Sequence, residues 1–188
     1  MGNVLGIFTS FGLSTSAGLN AYLPLLIVAL MGRFTDWIQL NETFNALTSW
    51  WSIGLLVVLL TIEILADKIP VVDSANDVIQ TVVRPTAGAI LFAANANAIA
   101  DVHPILAMLC GLLVSGTVHV AKSTARPMVT AASVGTANPI VSTVEDLVSA
   151  VTAFLAILLP VILACVLLLA AIIIGWWLWS RHQRQQQV

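Results

Sequence analysis

Charged residues are scarce in this chain, and their scarcity excludes a water-soluble globular protein. Asp, Glu, Lys and Arg make up 9% of the 188 residues, against 59% for the hydrophobic types. A soluble domain carries roughly 25% charged residues. The net charge of −2 provides no basic surface, so no nucleic-acid partner is expected. These counts predict a polytopic membrane protein whose partner is the lipid bilayer, with one transmembrane domain over 1–180 and a basic, Gln-rich cytoplasmic tail over 181–188.

Motifs for catalysis and metal binding are also missing. The chain has two cysteines, Cys110 and Cys165, each inside an apolar segment, which gives no support for a zinc cluster or a disulfide scaffold. It contains no Gly-rich phosphate loop, no His-Glu-x-x-His and no Gly-x-Ser-x-Gly. We therefore expect no enzymatic activity and no cofactor. No Lys or Arg precedes the first apolar run, so a cleaved signal peptide is not expected.

The intervals without charge locate the membrane spans, because a helix needs about 20 residues to cross the hydrocarbon. They predict an all-α fold of about six transmembrane helices. The candidate spans are 4–31, 43–62, 85–100, 102–121, 127–144 and 147–180. Pro70 is expected to end the helix of span two, and a cap signal at Ser74 indicates an early start for span three. Spans three and five are short and rich in small residues, which is typical of broken or re-entrant segments.

The basic residues predict the orientation of these spans. With both termini in the cytoplasm and six crossings, six of the seven Lys and Arg residues lie inside and only Arg33 lies outside. The outer segment from Thr35 to Thr48 is predicted to be a short surface helix or a plain loop. Trp50 and Trp51 are expected to anchor the outer end of span two.

Spans one, three and five share small and hydroxyl residues and each carries an asparagine late in its course. Two interpretations stay open. In the first, small residues and hydroxyl groups allow close helix packing within three tandem hairpins. In the second, Asn20, Asn97 and Asn138 form a polar lining in the outer half of the membrane, and the prolines that follow, Pro24 and Pro139, mark broken helices.

The densest charges are predicted at the cytoplasmic ends of spans two to four. Glu63 and Asp67 are four residues apart and share a helix face. One interpretation is a set of ion pairs that fix helix packing. A second is an ion or proton site, whose oxygen ligands would suit Mg²⁺ or Ca²⁺ if a metal binds. The candidate residues of that site are Glu63, Asp67, Asp73, Asp77 and His119.

A third interpretation of the same region is a site for an anionic headgroup or a phosphate. Its candidate contacts are the four bases Lys68, Arg84, Lys122 and Arg126. Nothing in their spacing fixes a ligand geometry, so the three interpretations remain open.

Two stretches carry a resemblance to a known family. They are GLNAYLPLL at 18–26 and ADKIPVVDSANDVIQTVVRP at 66–85. They resemble a family of small bacterial integral membrane proteins, domain of unknown function 4126, and the resemblance covers most of the chain. It implies a location in the bacterial inner membrane. It implies no activity and no catalytic residue.

The preferred functional prediction is a small transporter or channel for an ion or a small polar solute, with a homo-oligomer as a possible assembly. Glu63, Asp67 and His119 would serve an inner gate or ion site, and the three asparagines an outer lining. The alternative is a non-transporting membrane protein, either an assembly or accessory subunit or a lipid-headgroup binder. Asparagines that are dry and bonded to backbone would favour this alternative.

Overall fold

The protein is helical throughout the residues that the computed structural model describes, which are 2–95, 103–133, 136–159 and 176. These residues contain six α-helices, one 3-10 helix and no strand, in agreement with the all-α prediction. The α-helices are α1 (Gly2–Leu19), α2 (Tyr22–Phe34), α3 (Trp50–Ala66), α4 (Pro70–Ala94), α5 (Pro104–Ser133) and α6 (Asn138–Leu159). The 3-10 helix, Glu42–Thr48, precedes α3.

The first predicted span is two helices that run in opposite directions. The Asn95 side chain donates to the carbonyl of Gly6 near the start of α1 (3.2 Å). Asn41, which follows α2, donates its backbone N–H to Ala94 O (3.0 Å). The start of α1 and the end of α2 therefore lie at one end of the bundle, which we name the Asn95 end. The prediction of one straight span over 4–31 is therefore wrong. The prediction that the N-terminus and Thr35–Thr48 lie at opposite ends is wrong for the same reason.

The break between α1 and α2 is explained by the side chain of Asn20. Its Oδ1 accepts the backbone N–H groups of Tyr22 (3.1 Å) and Leu23 (2.9 Å), which caps the start of α2. Pro24 falls in the first turn of α2, where its missing N–H costs no helical hydrogen bond. We name α1, α2 and this break the N-terminal hairpin.

Close contacts between small residues join the central helices. A Cβ added to Gly88 of α4 would lie 2.8 Å from the carbonyl oxygen of Gly111 in α5. The Ser14 hydroxyl of α1 donates to Gly88 O (3.0 Å), and the Ser115 hydroxyl donates to Arg84 O (2.7 Å). These contacts make α4 antiparallel to both α1 and α5. The tandem-hairpin interpretation required spans one and three to be parallel, and α1, the first half of span one, does not meet this requirement.

Two described helices, α5 and α6, are long and apolar enough to cross a membrane. The 3-10 helix and α3 form a third candidate if they count as one span bent by 63°. The predicted count of six is not confirmed. The predicted fifth span, 127–144, is divided between the end of α5 and the start of α6. Much of the sixth and the tail 181–188 lie outside the described residues.

The Asn95 end carries exposed aromatic residues around the predicted surface helix. The Arg33 guanidinium lies 4.3 Å from the ring centroid of Trp50, which is 60% exposed, and Trp51 is 90% exposed. Aromatic side chains in this arrangement are typical of a membrane interface. At the opposite end, which we name the Lys68 end, Pro70 is the first residue of α4 and does not merely end α3. Proline suits this position because its N–H has no helical partner there.

Candidate functional site

Titratable side chains of four helices meet in one cluster inside the bundle. We name this cluster the charge network. Its members are Glu63 and Asp67 near the end of α3, Asp77 and Arg84 of α4, His119, Lys122 and Arg126 of α5, and Glu145 and Asp146 of α6. Among the described residues the network has five carboxylates and three bases, so with ionised carboxylates and a neutral histidine these members carry a net charge of −2.

Arg84 lies at the centre of the charge network and is fully buried. Its Nη2 is 3.0 Å from Glu63 Oε1, and its Nη1 is 3.9 Å from Asp77 Oδ1. Its Nη1 also lies 3.2 Å from Nδ1 of His119. Because a guanidinium can only donate, Nδ1 must accept and the proton of a neutral imidazole must be on Nε2. Nε2 then donates to the Thr81 hydroxyl (3.2 Å).

Arg126 joins α5 to three other helices. Its Nη1 lies 3.3 Å from Asp77 Oδ2, and its Nη2 lies 3.5 Å from Asp67 Oδ2 and 3.1 Å from Glu145 Oε2. Asp67 also accepts hydrogen bonds from Asn76 (2.9 Å) and from a serine of α6. A single side chain thus fixes α3, α4 and α6 relative to α5.

The break of the N-terminal hairpin is part of the same cluster. Lys122 Nζ lies 2.9 Å from Glu145 Oε2 and donates to the carbonyl of Leu19, the last residue of α1 (2.9 Å). The Asn20 amide donates to Asp146 Oδ1 (2.8 Å). The end of α1 therefore has a cation on its freed carbonyl, and the cap of α2 is bonded to a carboxylate of α6.

Two of the three asparagines of the predicted outer lining, Asn20 and Asn138, fall within the described residues. Asn20 lies in the charge network and not in a separate outer site, because the chain turns back at this residue. Asn138 is at the start of α6, where it accepts from the Thr130 hydroxyl (3.0 Å). Asn97 lies outside the described residues. Asn95, which the lining did not include, bonds to α1 at the other end of the bundle.

The predicted ion site and the predicted anion contacts fall in one place. Of the ion-site candidates, Glu63, Asp67, Asp77 and His119 come together, and the side chain of Asp73 lies outside what is described. Three of the predicted anion contacts pair with carboxylates of the same chain. Lys68 is exposed and lies 3.4 Å from the Thr143 hydroxyl. The pairing of Arg84, Lys122 and Arg126 with carboxylates gives no support to a headgroup or phosphate site.

Two acidic members of the charge network were not predicted as site residues. The predicted spans leave Glu145 and Asp146 in the short outer connection between span five, which ends at 144, and span six, which begins at 147. They lie inside α6, where Glu145 bridges Lys122 and Arg126. The available signal was the position of both acids between apolar residues in helical register, which is unfavourable unless bases face them.

Four buried side-chain atoms have no hydrogen-bond partner among the described residues. Three are acceptors and one is a donor. They are Glu63 Oε2, Asp77 Oδ1, Gln80 Oε1 and Arg84 Nε. No three His, Cys, Asp or Glu residues of the described part are placed to hold one metal ion. The hydrogen-bonding groups that remain without a partner in the described site are therefore three separate oxygen acceptors and one guanidinium donor.

Comparison with known families identifies the chain at the level of sequence. The family described as Domain of unknown function (DUF4126) matches residues 7–181. The chain belongs to this family. The match confirms the resemblance seen in 18–26 and 66–85; these segments contribute Asp67, Asp77 and Arg84 to the charge network, and Asn20, which bonds to Asp146. No similar curated protein and no similar solved structure was found.

Replacing Asn20 with alanine should destabilise the N-terminal hairpin. The change removes the cap of α2 and the amide donor to Asp146, and we expect the free energy of unfolding to fall by about 2 kcal/mol. The measurement is unfolding in detergent micelles, followed by tryptophan fluorescence. Asn45→Ala, at an exposed position in the 3-10 helix, is the control. Equal stability of the two variants would show that the Asn20 contacts do not hold the break.

Proposed function

We propose that this membrane protein is a small transporter or channel for an ion or a small polar solute. The observation that supports this proposal is the excess of two carboxylates over bases among the described members of the charge network, in which Glu63 and Asp67 are each 1% exposed. An uncompensated buried carboxylate is unfavourable by several kcal/mol, so such a site takes up a proton or a cation. Ionisable groups in spanning helices are costly and characteristically functional. Glu63, Asp67 and His119 would form the ion or proton site.

The N-terminal hairpin supports the same proposal. In many transporters, discontinuous helices place freed backbone groups at the substrate site. Here the carboxyl end of α1 and the amino end of α2 both lie at the charge network, and Lys122 occupies the freed carbonyl of Leu19. Because Lys122 contacts both Glu145 and the hairpin, uptake of a cation by the charge network could change how Lys122 holds the hairpin.

The absence of a three-ligand group in the described residues favours a proton or a monovalent cation over a hard divalent metal, which needs about six oxygen ligands. We propose that the Lys68 end faces the cytoplasm of the bacterial inner membrane, because Lys68, Lys122 and Arg126 lie toward that end, whereas Arg33 is the one described base at the Asn95 end. The aromatic residues of the Asn95 end would then lie at the outer interface.

Flux measurements in liposomes test the proposal. The full chain is reconstituted, a potassium diffusion potential is imposed with valinomycin, and proton or cation entry is followed with an enclosed dye. We expect Glu63→Gln and His119→Ala to reduce the flux about tenfold or more, because each removes a direct partner of Arg84.

The control for this experiment is Glu42→Gln, which makes the same change in an exposed residue of the 3-10 helix. It should leave the flux unchanged. Circular dichroism of each variant checks that it remains folded. A wild-type flux no greater than that of empty liposomes would refute the transport proposal, as would equal fluxes in wild type and both folded network variants.

One observation favours the alternative, a non-transporting assembly or accessory subunit. Asn20 is 1% exposed and bonded to backbone and to Asp146, and Asn95 is bonded to α1. In this alternative the charge network is a brace between helices. The same liposomes separate the two: a brace predicts no flux, together with a loss of stability when network residues are changed.

A further inference from the structure

Asp146 of α6 differs from the other carboxylates of the charge network in having no ion pair with a base of the described residues. Each of the other four lies within 3.5 Å of a lysine or arginine nitrogen. The hydrogen bond that Asp146 accepts in this part of the chain comes from a neutral group, the side-chain amide of Asn20 (2.8 Å). Part of the negative charge of the network therefore lies where no base offsets it directly.

The amide of Asn20 has only one orientation that satisfies its neighbours. Its Oδ1 accepts the backbone N–H groups of Tyr22 (3.1 Å) and Leu23 (2.9 Å). The amide nitrogen is therefore the atom that bonds to Asp146, and Oδ1 of Asp146 is the acceptor. Asn20 is 1% exposed and Asp146 is half-buried. One amide thus links the carboxylate of α6 directly to the cap that begins α2.

The charges that act on Asp146 come from α3, α5 and its own helix. Lys122 of α5 is already paired with the adjacent Glu145 (2.9 Å), and Asp67 of α3 adds a further negative charge. The N-terminal hairpin adds no charge here, because its only charged side chain is that of Arg33, at the Asn95 end. A positive charge taken up at Asp146 thus reduces an excess of carboxylates over bases.

The contacts of Asp146 suit a proton better than a metal ion. Mg²⁺ and Ca²⁺ take about six to eight oxygen ligands, whereas a proton needs one carboxylate oxygen. With the proton on Oδ2, Oδ1 still accepts from Asn20, but as the oxygen of a neutral carboxyl group. Hydrogen bonds to an ionised acceptor are roughly twice as strong as those to a neutral one. Protonation therefore keeps the bond and weakens it.

We propose that Asp146 binds a proton through Oδ2 and that this proton loosens the break of the N-terminal hairpin. The proton comes from a hydronium ion, which leaves as water, and the carboxylate loses its charge. The bond from Asn20 weakens, so the amide holds the N–H groups of Tyr22 and Leu23 less firmly. This inference rests on the proposed function: it adds Asp146 to the ion or proton site and names the proton as the ion.

Infrared spectroscopy of the purified full chain in liposomes tests proton binding, because a protonated carboxyl group absorbs apart from a carboxylate. Aspartate labelled with carbon-13 at its side-chain carboxyl separates the aspartate band from that of glutamate. Spectra are recorded from about pH 9 to about pH 6, where exposed carboxyl groups stay ionised. We expect a labelled band that grows as the pH falls. Asp146→Asn should remove it, and Asp36→Asn, the same change at an exposed position, should leave it unchanged.

Hydrogen–deuterium exchange tests the effect on the hairpin. Asp146→Asn imitates the protonated state, because its amide oxygen can accept from Asn20 but carries no charge. At the highest pH of the infrared series, the peptide that contains Tyr22 and Leu23 should exchange about fivefold faster in this variant than in wild type. Peptides of α5 should exchange at the wild-type rate. The Asp36→Asn control should match wild type throughout.

Three outcomes overturn the inference: no labelled band in wild type, a band that persists in folded Asp146→Asn, or equal exchange of the hairpin peptide in wild type and this variant. If Asp146→Asn does not fold, Asn20→Ala takes its place, and loss of the amide donor should move the band to higher frequency; an unmoved band overturns the inference. The transport proposal fails separately: a pH-dependent Asp146 band without flux in liposomes refutes transport alone, whereas flux of another cation without this band refutes proton binding alone.

Discussion

Arg84→Met should lower the free energy of unfolding by about 3–5 kcal/mol, the largest effect of any single change considered for this chain. The guanidinium is fully buried, and its removal leaves Glu63 without its cationic partner and His119 without its donor. A buried charge that loses its partner is far more costly than the pair itself. Unfolding in detergent micelles, followed by tryptophan fluorescence, measures the difference.

Two further variants complete the test of Arg84. Arg33→Met, at an exposed position against Trp50, should cost less than about 1 kcal/mol. Adding Glu63→Gln to Arg84→Met should recover part of the lost stability, because the orphaned carboxylate is then neutral. An Arg84→Met protein as stable as the Arg33 variant would mean that the charge network is not formed as described.

Gly88→Ala should destabilise the protein by about 3 kcal/mol through a steric effect alone. The new Cβ would lie 2.8 Å from the carbonyl oxygen of Gly111 and 2.9 Å from the hydroxyl of Ser115. The backbone of α5 would have to move away from α4, which would also stretch the bond from Ser14 to Gly88 O. The same unfolding measurement applies.

Gly54→Ala is the matched control for the packing effect. Gly54 lies in the interior of α3, and nothing is within 4 Å of a Cβ added there. Alanine favours a helix over glycine by roughly 0.5–1 kcal/mol, so this variant should be at least as stable as wild type. If both alanine variants have the same stability, the close approach of α4 and α5 is not required by the fold.

Most members of the charge network could be predicted from the sequence, but the way in which they pair could not. Glu63 and His119 were found because charged or titratable groups deep in apolar segments need a partner. Arg84 and Arg126 were also selected, but as contacts to an anionic ligand. A linear sequence does not show which side chains of opposite charge meet in the fold. Their pairing depends on helix packing, which depends on contacts such as that of Gly88 with Gly111.

The helical class was predictable and the path of the chain was not. Apolar length fixes where helices form, but the direction of a helix is set by local breaks and by packing. Asn20 lies between two apolar stretches that together have the length of one span. Only the hydrogen bonds of its side chain to Tyr22 and Leu23 show that the helix ends there. A break of this kind is hard to recognise in a sequence, because a single amide side chain is enough to cap the next helix.

The turn at Asn20 also changes the side of the membrane on which each later segment of the chain lies. A straight first span would carry Thr35–Thr48 to the far side of the membrane, whereas the N-terminal hairpin returns it to the side on which α1 began. All later helices therefore exchange sides relative to the start of α1. If the Lys68 end faces the cytoplasm, both ends of the hairpin lie on the other side of the membrane, together with Arg33.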